Sequence, residues 1–150
     1  MPQIDSVALL QTISVYRRTY RRSQFVTPLN LSDWYSLFPD EFPDTPTTHK
    51  WPDNYPNKGR SGVYFFFDSE MLLLYIGESE KDMQRRLGDH VTCAANKPGP
   101  CKIIEKRIGP PWRVRPCYVR TLANTLEAPI LESFLIEALR PPENTKGIRR

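Results

Sequence analysis

The sequence predicts a single α/β (α+β) domain in which a small three-stranded antiparallel sheet is flanked by helices. Two apolar runs, at residues 62–68 and 71–76, lie on either side of the polar break Asp68-Ser69-Glu70 and predict a β-hairpin. Amphipathic patterns with helical spacing stand near both ends of the chain and directly after the hairpin. With 150 residues, of which 39% are hydrophobic and 25% charged, the chain is long enough to bury one core.

The N-terminal part, residues 1–61, is predicted to be a helix and a proline-rich connector that pack on the rest of the domain. The helix can be capped by Asp5 or Ser6 and runs to about Arg22. The connector contains six prolines, which interrupt long elements, although residues 32–38 fit a short capped helix. Four apolar residues form the predicted inward stripe of the first helix: Leu9, Ile13, Tyr16 and Tyr20.

The two hairpin strands are apolar along nearly their whole length, so both faces of the sheet are predicted to be covered. Tyr64 and Tyr75 lie on neighbouring strands, and their hydroxyl groups need hydrogen-bond partners or a cleft open to solvent. A tyrosine in an apolar strand is more often a core residue than a catalytic one. Two phenols on adjacent strands are nevertheless a first indication of a site.

The segment after Gly77 changes to helix-forming residues, and a helix is predicted over residues 82–91. Arg86 and His90 stand four residues apart on one face of this helix, so they can converge on a single ligand. Arg85 is a rival for the role of Arg86. The opposite, inward face is predicted to consist of Met83, Leu87 and Val91.

Three elements complete the predicted fold. A short helix is predicted at residues 101–108, a third strand at residues 112–121 and a last helix at residues 127–139. Pro116 indicates that the third strand lies at an edge or contains a bulge. Glu132 lies near the start of the last helix, where its carboxylate can reach the same cleft as the tyrosines. The inward stripe of that helix is predicted to be Ile130, Phe134, Leu135 and Leu139.

Three short motifs, spaced along the hairpin and the helix after it, together resemble the GIY-YIG nuclease family. They are Gly62-Val63-Tyr64, Tyr75-Ile76-Gly77 and the pair of Arg86 and His90. The resemblance continues to Asn144, because Glu132 and Asn144 fall at the spacings of the family's catalytic glutamate and closing asparagine. The family includes repair, homing and restriction nucleases, and the joint match is specific although no single motif is.

The resemblance implies a metal-dependent endonuclease that hydrolyses DNA, with residues 62–150 as the nuclease domain. It implies that Glu132 binds one Mg²⁺ (or Mn²⁺) ion, a hard cation that suits a carboxylate ligand. Arg86 would bind the scissile phosphate through its planar, permanently charged guanidinium group. Tyr64 would be the general base, which requires that a metal ion or neighbouring cations lower the pKa of its phenol.

The same resemblance assigns supporting roles and reveals one departure. Tyr75 and His90 would position phosphate or relay protons, and Asn144 would tie the end of the chain to the site. Several family members carry a basic residue after the second motif, whereas this chain has Glu78 there, and Lys81 is a weak substitute. Two alternatives therefore stay open: a catalytically degenerate nucleic-acid-binding module, and an RNA-cleaving nuclease or toxin.

A basic segment predicts where nucleic acid binds. The net charge of +4 and the pI near 9.0 mildly favour a polyanionic partner, although solubility alone can account for such an excess. The segment from residue 97 to residue 115 contains six basic residues and only one acidic residue, Glu105. Trp112 adds an aromatic ring to this segment. A solvated face is the alternative interpretation. The six candidate nucleic-acid-binding residues are Lys97, Lys102, Lys106, Arg107, Arg113 and Arg115.

The remaining features exclude some classes of protein. No apolar run approaches the length of a membrane span and the N-terminus lacks the basic start of a signal peptide, so we expect a cytoplasmic protein without a membrane partner. Three cysteines favour reduced thiols. We expect loops, a homodimer or a partner protein to select the target. A zinc site is a weak alternative because its ligands lack paired spacing: His90, Cys93, Cys101 and Cys117.

Overall fold

The computed structural model describes residues 4–25, 28–37, 49–50, 55, 57, 59–91, 117–124 and 126–144, and for residues 88–91 the backbone alone. The N-terminal helix α1 (Ser6–Val15) continues as a π-helical segment (Tyr16–Tyr20). The elements that follow are β1 (Tyr35–Ser36), β2 (His49–Lys50), β3 (Gly62–Phe67), β4 (Leu73–Ser79), α2 (Met83–Val91), β5 (Tyr118–Ala123) and α3 (Ala128–Leu139).

The strands form one five-stranded sheet in the order β2-β1-β5-β3-β4, with β3 in antiparallel pairing to both β4 and β5. The mixed α and β architecture is therefore as predicted, but the prediction of three strands is wrong. The two additional strands, β1 and β2, are two residues long and come from the proline-rich connector. Strands this short carry no alternating pattern that a sequence could reveal.

The short helix predicted at residues 32–38 is also wrong, because the connector is drawn into the sheet. The backbone N–H of Ser32 donates to the carbonyl of Thr121 at 2.7 Å, and the Ser32 hydroxyl accepts from the Thr121 N–H at 2.8 Å. Tyr35 and Ser36 then pair with β5. These bonds use Ser32 to extend the sheet, so it does not cap a helix.

The sheet is covered on both faces, as its apolar strands predicted. Val63, Phe65 and Phe67 belong to a core formed with α1 and α3, whereas Tyr64 and Phe66 belong to a second core that includes Met83 and Leu87 of α2. All six residues of β3 are buried. The interior strand β3 therefore carries one catalytic candidate, Tyr64, in the core beneath α2.

Two predicted inward residues face outward. Tyr20 is 61% exposed, because the helix widens to π geometry after Val15 and Tyr20 no longer follows the 3.6-residue period. Ile130 is 46% exposed, and Leu131 is buried in its place. The last helix otherwise begins as expected, with Pro129 tolerated in its first turn.

The other elements agree with the sequence where the structure describes them. Helix α2 begins at Met83, and Asp82 accepts the N–H of Gln84 at 3.0 Å, which satisfies a free donor of the first turn. The third predicted strand is β5, although residues 112–116 lie outside the described residues, as does the short helix predicted at residues 101–108. No helix among the described residues is long and apolar enough to cross a membrane.

Candidate active site

Tyr64 and Tyr75 bring two phenols together on the central and edge strands of the hairpin. Tyr64 lies opposite Gly77, and Tyr75 lies opposite Phe66, so both side chains point to the α2 face of the sheet. Their ring centroids are 6.3 Å apart. A Cβ atom at Gly77 would stand 2.4 Å from Cζ of Tyr64, so only glycine lets the Tyr64 ring lie across β4.

Arg86 reaches this pair from α2. Its exposed side chain makes a hydrogen bond with Tyr64, which distinguishes it from its rival Arg85 on the same helix. Burial raises the pKa of Tyr64, and Tyr75 adds to that effect, while the hydrogen bond and charge of Arg86 oppose it. The lowered phenol pKa that a general base needs is therefore not a property of the free protein.

Glu132 supplies a carboxylate from the second turn of α3. The side chain is half-buried, and its negative charge helps to raise the pKa of both Tyr75 and Tyr64, which places it close to both phenols. Burial raises the pKa of Glu132 to about 7; Glu78 contributes and Arg86 opposes. The structure thus brings together Tyr64, Tyr75, Arg86 and Glu132.

Asn144 holds the end of the described chain against β4. Its buried amide donates from Nδ2 to the carbonyl of Ile76 at 2.8 Å, and its Oδ1 accepts the N–H of Ile76 at 2.7 Å. The side chain therefore pairs with the edge strand as another strand would. It acts at the residue between Tyr75 and Gly77, which makes it a positioning residue for the site.

Replacing Asn144 by alanine is expected to lower the free energy of unfolding by roughly 1–3 kcal/mol, because both polar groups of Ile76 lose a buried partner. Chemical denaturation measures the loss. Asn30→Ala, at an exposed asparagine, is the control and should change stability little. An Asn144→Ala variant as stable as the wild type would show that water replaces the amide and that Asn144 does not hold β4.

Glu78 lies beside the same group of residues, on a cleft of about 510 Å³. The cleft opens at the start of α2, where Ser79 accepts the backbone N–H of Asp82 at 3.1 Å. Burial raises the pKa of Glu78, Glu80 adds to this, and Arg86 opposes it. The residues that line the cleft are Glu78, Ser79, Glu80, Lys81, Asp82, Arg85 and Arg86.

A buried carboxylate outside the predicted site, Glu127, joins the N-terminal helix to α3. It accepts hydrogen bonds from Tyr16 at 2.6 Å, Arg21 Nε at 2.9 Å and Asn124 Nδ2 at 2.9 Å. Burial opposes ionisation of Glu127, but these bonds outweigh it and lower its pKa. The network fixes the start of the helix that carries Glu132. The one sequence signal for it is Asn124, three residues before Glu127 and typical of an Asx turn.

Several predicted site residues cannot be placed. His90 belongs to α2, but its side chain lies outside the described residues, as do Cys93, Cys101 and all six members of the basic segment. Cys117 is a buried thiol that donates to the carbonyl of Phe67 at 3.1 Å, and burial raises its pKa to about 12. Such a thiol is a structural residue, which weakens the zinc alternative.

The described donors fit a hard divalent cation. Glu132 offers a half-buried carboxylate, and Oε2 of Glu78 is buried without a hydrogen-bond partner among the described residues. Carboxylate oxygens are the ligands that Mg²⁺ and Mn²⁺ prefer. No three side chains of the His, Cys, Asp or Glu types form a metal cluster in the part of the chain that the structure describes.

The raised pKa of Glu132 predicts how stability depends on pH in metal-free protein. The native state holds the proton of Glu132 more tightly than the unfolded state does. The protonated side chain therefore contributes to the free energy of unfolding in full below about pH 4.5, and this contribution is lost as the pH rises through about 7. Glu132→Gln imitates the protonated form. The melting temperature of this variant, measured with a chelator, should exceed that of the wild type increasingly as pH rises through about 7.

Glu127 titrates in both proteins, so its contribution cancels in the difference between wild type and variant, which reports Glu132 together with its repulsion by Glu78. A difference in melting temperature that stays constant across this range of pH would mean that Glu132 titrates normally.

Comparison with known proteins gives a family model and a set of relatives that match part of the chain. Residues 60–146 match the model of the GIY-YIG catalytic domain. UvrABC system protein C of Pseudomonas putida and that of Pseudomonas fluorescens are each 35% identical over 86 residues, and that of Ectopseudomonas mendocina is 33% identical over the same length. Each match covers 57% of this chain but only 13% of the relative. No solved structure matches the chain.

Proposed function

The chain belongs to the GIY-YIG family, and on that premise we propose that it is an endonuclease that hydrolyses DNA phosphodiester bonds with one bound Mg²⁺ or Mn²⁺ ion. The observation that carries the proposal is the convergence of a phenol, a guanidinium and a half-buried carboxylate, from Tyr64, Arg86 and Glu132. DNA is proposed because the repair, homing and restriction nucleases that the chain resembles act on it.

Each residue has a task in phosphodiester hydrolysis. Glu132 would hold the metal ion, which when bound supplies positive charge for the phosphoryl oxygens and lowers the pKa of a water. Arg86 binds and neutralises the scissile phosphate, and its exposed side chain lines the cleft. Tyr75 flanks the phosphate from the adjacent strand.

Tyr64 is placed to accept a proton from the attacking water. Because burial raises its pKa, the phenol is protonated at neutral pH in the free protein. Loss of that proton must therefore accompany assembly of the complex with nucleic acid. Until then, the ring and hydroxyl orient Arg86, which makes the active form dependent on bound substrate.

Target selection and location are part of the same proposal. The basic segment at residues 97–115 would bind the DNA backbone, and a homodimer or a partner protein would choose the site of cleavage. We also propose a cytoplasmic location.

The proposal is tested by offering purified protein and Mg²⁺ or Mn²⁺ a panel of supercoiled, linear, branched and single-stranded DNA, with RNA in a parallel assay. We expect cleavage of at least one DNA form and none by Glu132→Ala. RNA cleavage without DNA cleavage would mean that the substrate is RNA, not DNA. If every substrate stays intact with both proteins, the enzymatic proposal fails.

Glu78 favours a second candidate function, a binding module that does not cut. A carboxylate replaces the basic residue that several family members carry at this position, and it lies beside Glu132 in the site. Such a module would bind DNA with an affinity that falls steeply with salt, yet leave it intact in every metal tested.

A further inference from the structure

We propose that Glu78 is a second protein ligand of the metal ion and shares it with Glu132. The inference rests on the proposed metal-dependent function and goes beyond it. It assigns a role in metal binding to Glu78, which stands where several family members carry a basic residue. Three observations carry it: the register of β4, a buried oxygen atom without a partner, and the local balance of charge.

The register places Glu78 on the same side of the sheet as Glu132. Glu78 stands directly opposite Val63, and paired residues on antiparallel strands point to the same face. Val63 packs in the core that includes α3. Because β4 is the edge strand, Glu78 lies at the rim of the sheet, where it lines the cleft together with Arg86.

The Oε2 atom of Glu78 is buried and has no hydrogen-bond partner among the described residues. A carboxylate oxygen removed from water without a partner costs free energy, so such groups in native proteins call for an explanation. A cation is the partner that a carboxylate oxygen binds most strongly. The free oxygen is therefore a ligand atom already in place.

The charges around this position favour a cation. The negative charge of Glu78 acts on Glu132, and Arg86 is a positive group that acts on both carboxylates. Arg86 also hydrogen-bonds Tyr64, so its charge is shared among several groups. A divalent cation between the two carboxylates would relieve their mutual repulsion. A basic residue at position 78 could not be a ligand of that cation.

The proposal predicts a tighter site than a single carboxylate provides. One protein ligand leaves most positions to water, which gives dissociation constants on the order of 1 mM, and affinity rises with the number of charged ligands. We expect Glu78→Gln, which keeps the shape of the side chain, to weaken Mn²⁺ binding by about tenfold or more. Electron paramagnetic resonance of free Mn²⁺ measures this without DNA.

A matched control separates direct ligation from charge at a distance. Glu80→Gln removes the same charge two residues away, from an exposed side chain. It should change Mn²⁺ affinity by less than about threefold, since exposed charges are screened.

Tb³⁺ luminescence lifetimes in H₂O and D₂O then count the water molecules bound to the metal ion. Glu78→Gln should add about one water, whereas Glu80→Gln should add none. Glu78→Asp, which retains a carboxylate, should keep more affinity than Glu78→Gln.

The outcomes distinguish the inference from the proposed function. If Glu78→Gln behaves like Glu80→Gln and adds no water, while Glu132→Gln abolishes binding, the second ligand is overturned and the proposed metal site stands. If Glu132→Gln leaves Mn²⁺ affinity unchanged, the proposed metal site itself fails. Circular dichroism of each variant establishes that the fold is retained.

Discussion

Glu132→Gln is expected to abolish DNA cleavage, with turnover at saturating DNA lower by about a thousandfold or more. The amide keeps the volume of the side chain but removes the charge that binds the metal ion. Charge stabilisation by a bound metal ion amounts to several kcal/mol, and each 1.4 kcal/mol is about tenfold in rate. Single-turnover cleavage of a labelled duplex, with DNA affinity measured separately, distinguishes lost chemistry from lost binding.

The matched control is Glu137→Gln on the same helix. Glu137 is exposed and pairs with Arg140 at 3.2 Å on the surface, so its loss should leave both turnover and folding nearly unchanged. Full activity of Glu132→Gln would mean that the metal ion binds elsewhere or that hydrolysis does not use this carboxylate. If excess Mn²⁺ restores the turnover of Glu132→Gln, the variant has a weakened affinity for the metal ion at the same site.

Sequence reasoning predicted the parts of the fold that have either a long apolar run or apolar residues at helical spacing. The hairpin at β3 and β4 and the last helix α3 follow from long apolar runs and helical spacing. The short strands β1 and β2 depend on the pairing of β1 with β5 and of β2 with β1, which no local pattern encodes. The position of Tyr20 also differs from the prediction, because the helix changes to π geometry after Val15 and the apolar spacing of the sequence does not indicate that change.

The candidate site was predicted from the joint spacing of its motifs, and the structure brings four of its residues together. Sequence spacing could not decide between Arg85 and Arg86, whereas the hydrogen bond with Tyr64 favours Arg86. Spacing also carries no information about desolvation. The raised pKa of Tyr64, and the Glu78 oxygen that has no hydrogen-bond partner among the described residues, depend on which atoms are removed from water, and that is a property of the packed protein.

Arg86→Ala is expected to lower turnover at saturating DNA by about a hundredfold, the scale of losing one preorganised donor to the transition state. Arg86 hydrogen-bonds Tyr64 and acts on Glu132, so in the proposed mechanism it stands where negative charge develops during hydrolysis. Its effect on DNA affinity should be small, because many phosphate contacts share the binding free energy. Single-turnover rates across a series of DNA concentrations separate the two quantities.

Arg85→Ala removes the same side chain from the adjacent, exposed position on α2 and is the control for Arg86→Ala. It should preserve turnover and weaken binding slightly, with a flatter dependence of affinity on salt, because Arg85 lines the cleft without the hydrogen bond to Tyr64. If Arg85→Ala loses turnover and Arg86→Ala does not, the catalytic arginine is Arg85. If Arg86→Ala instead loses DNA affinity but keeps full turnover at saturation, Arg86 is a phosphate anchor, and the stabilisation of the transition state must come from another group.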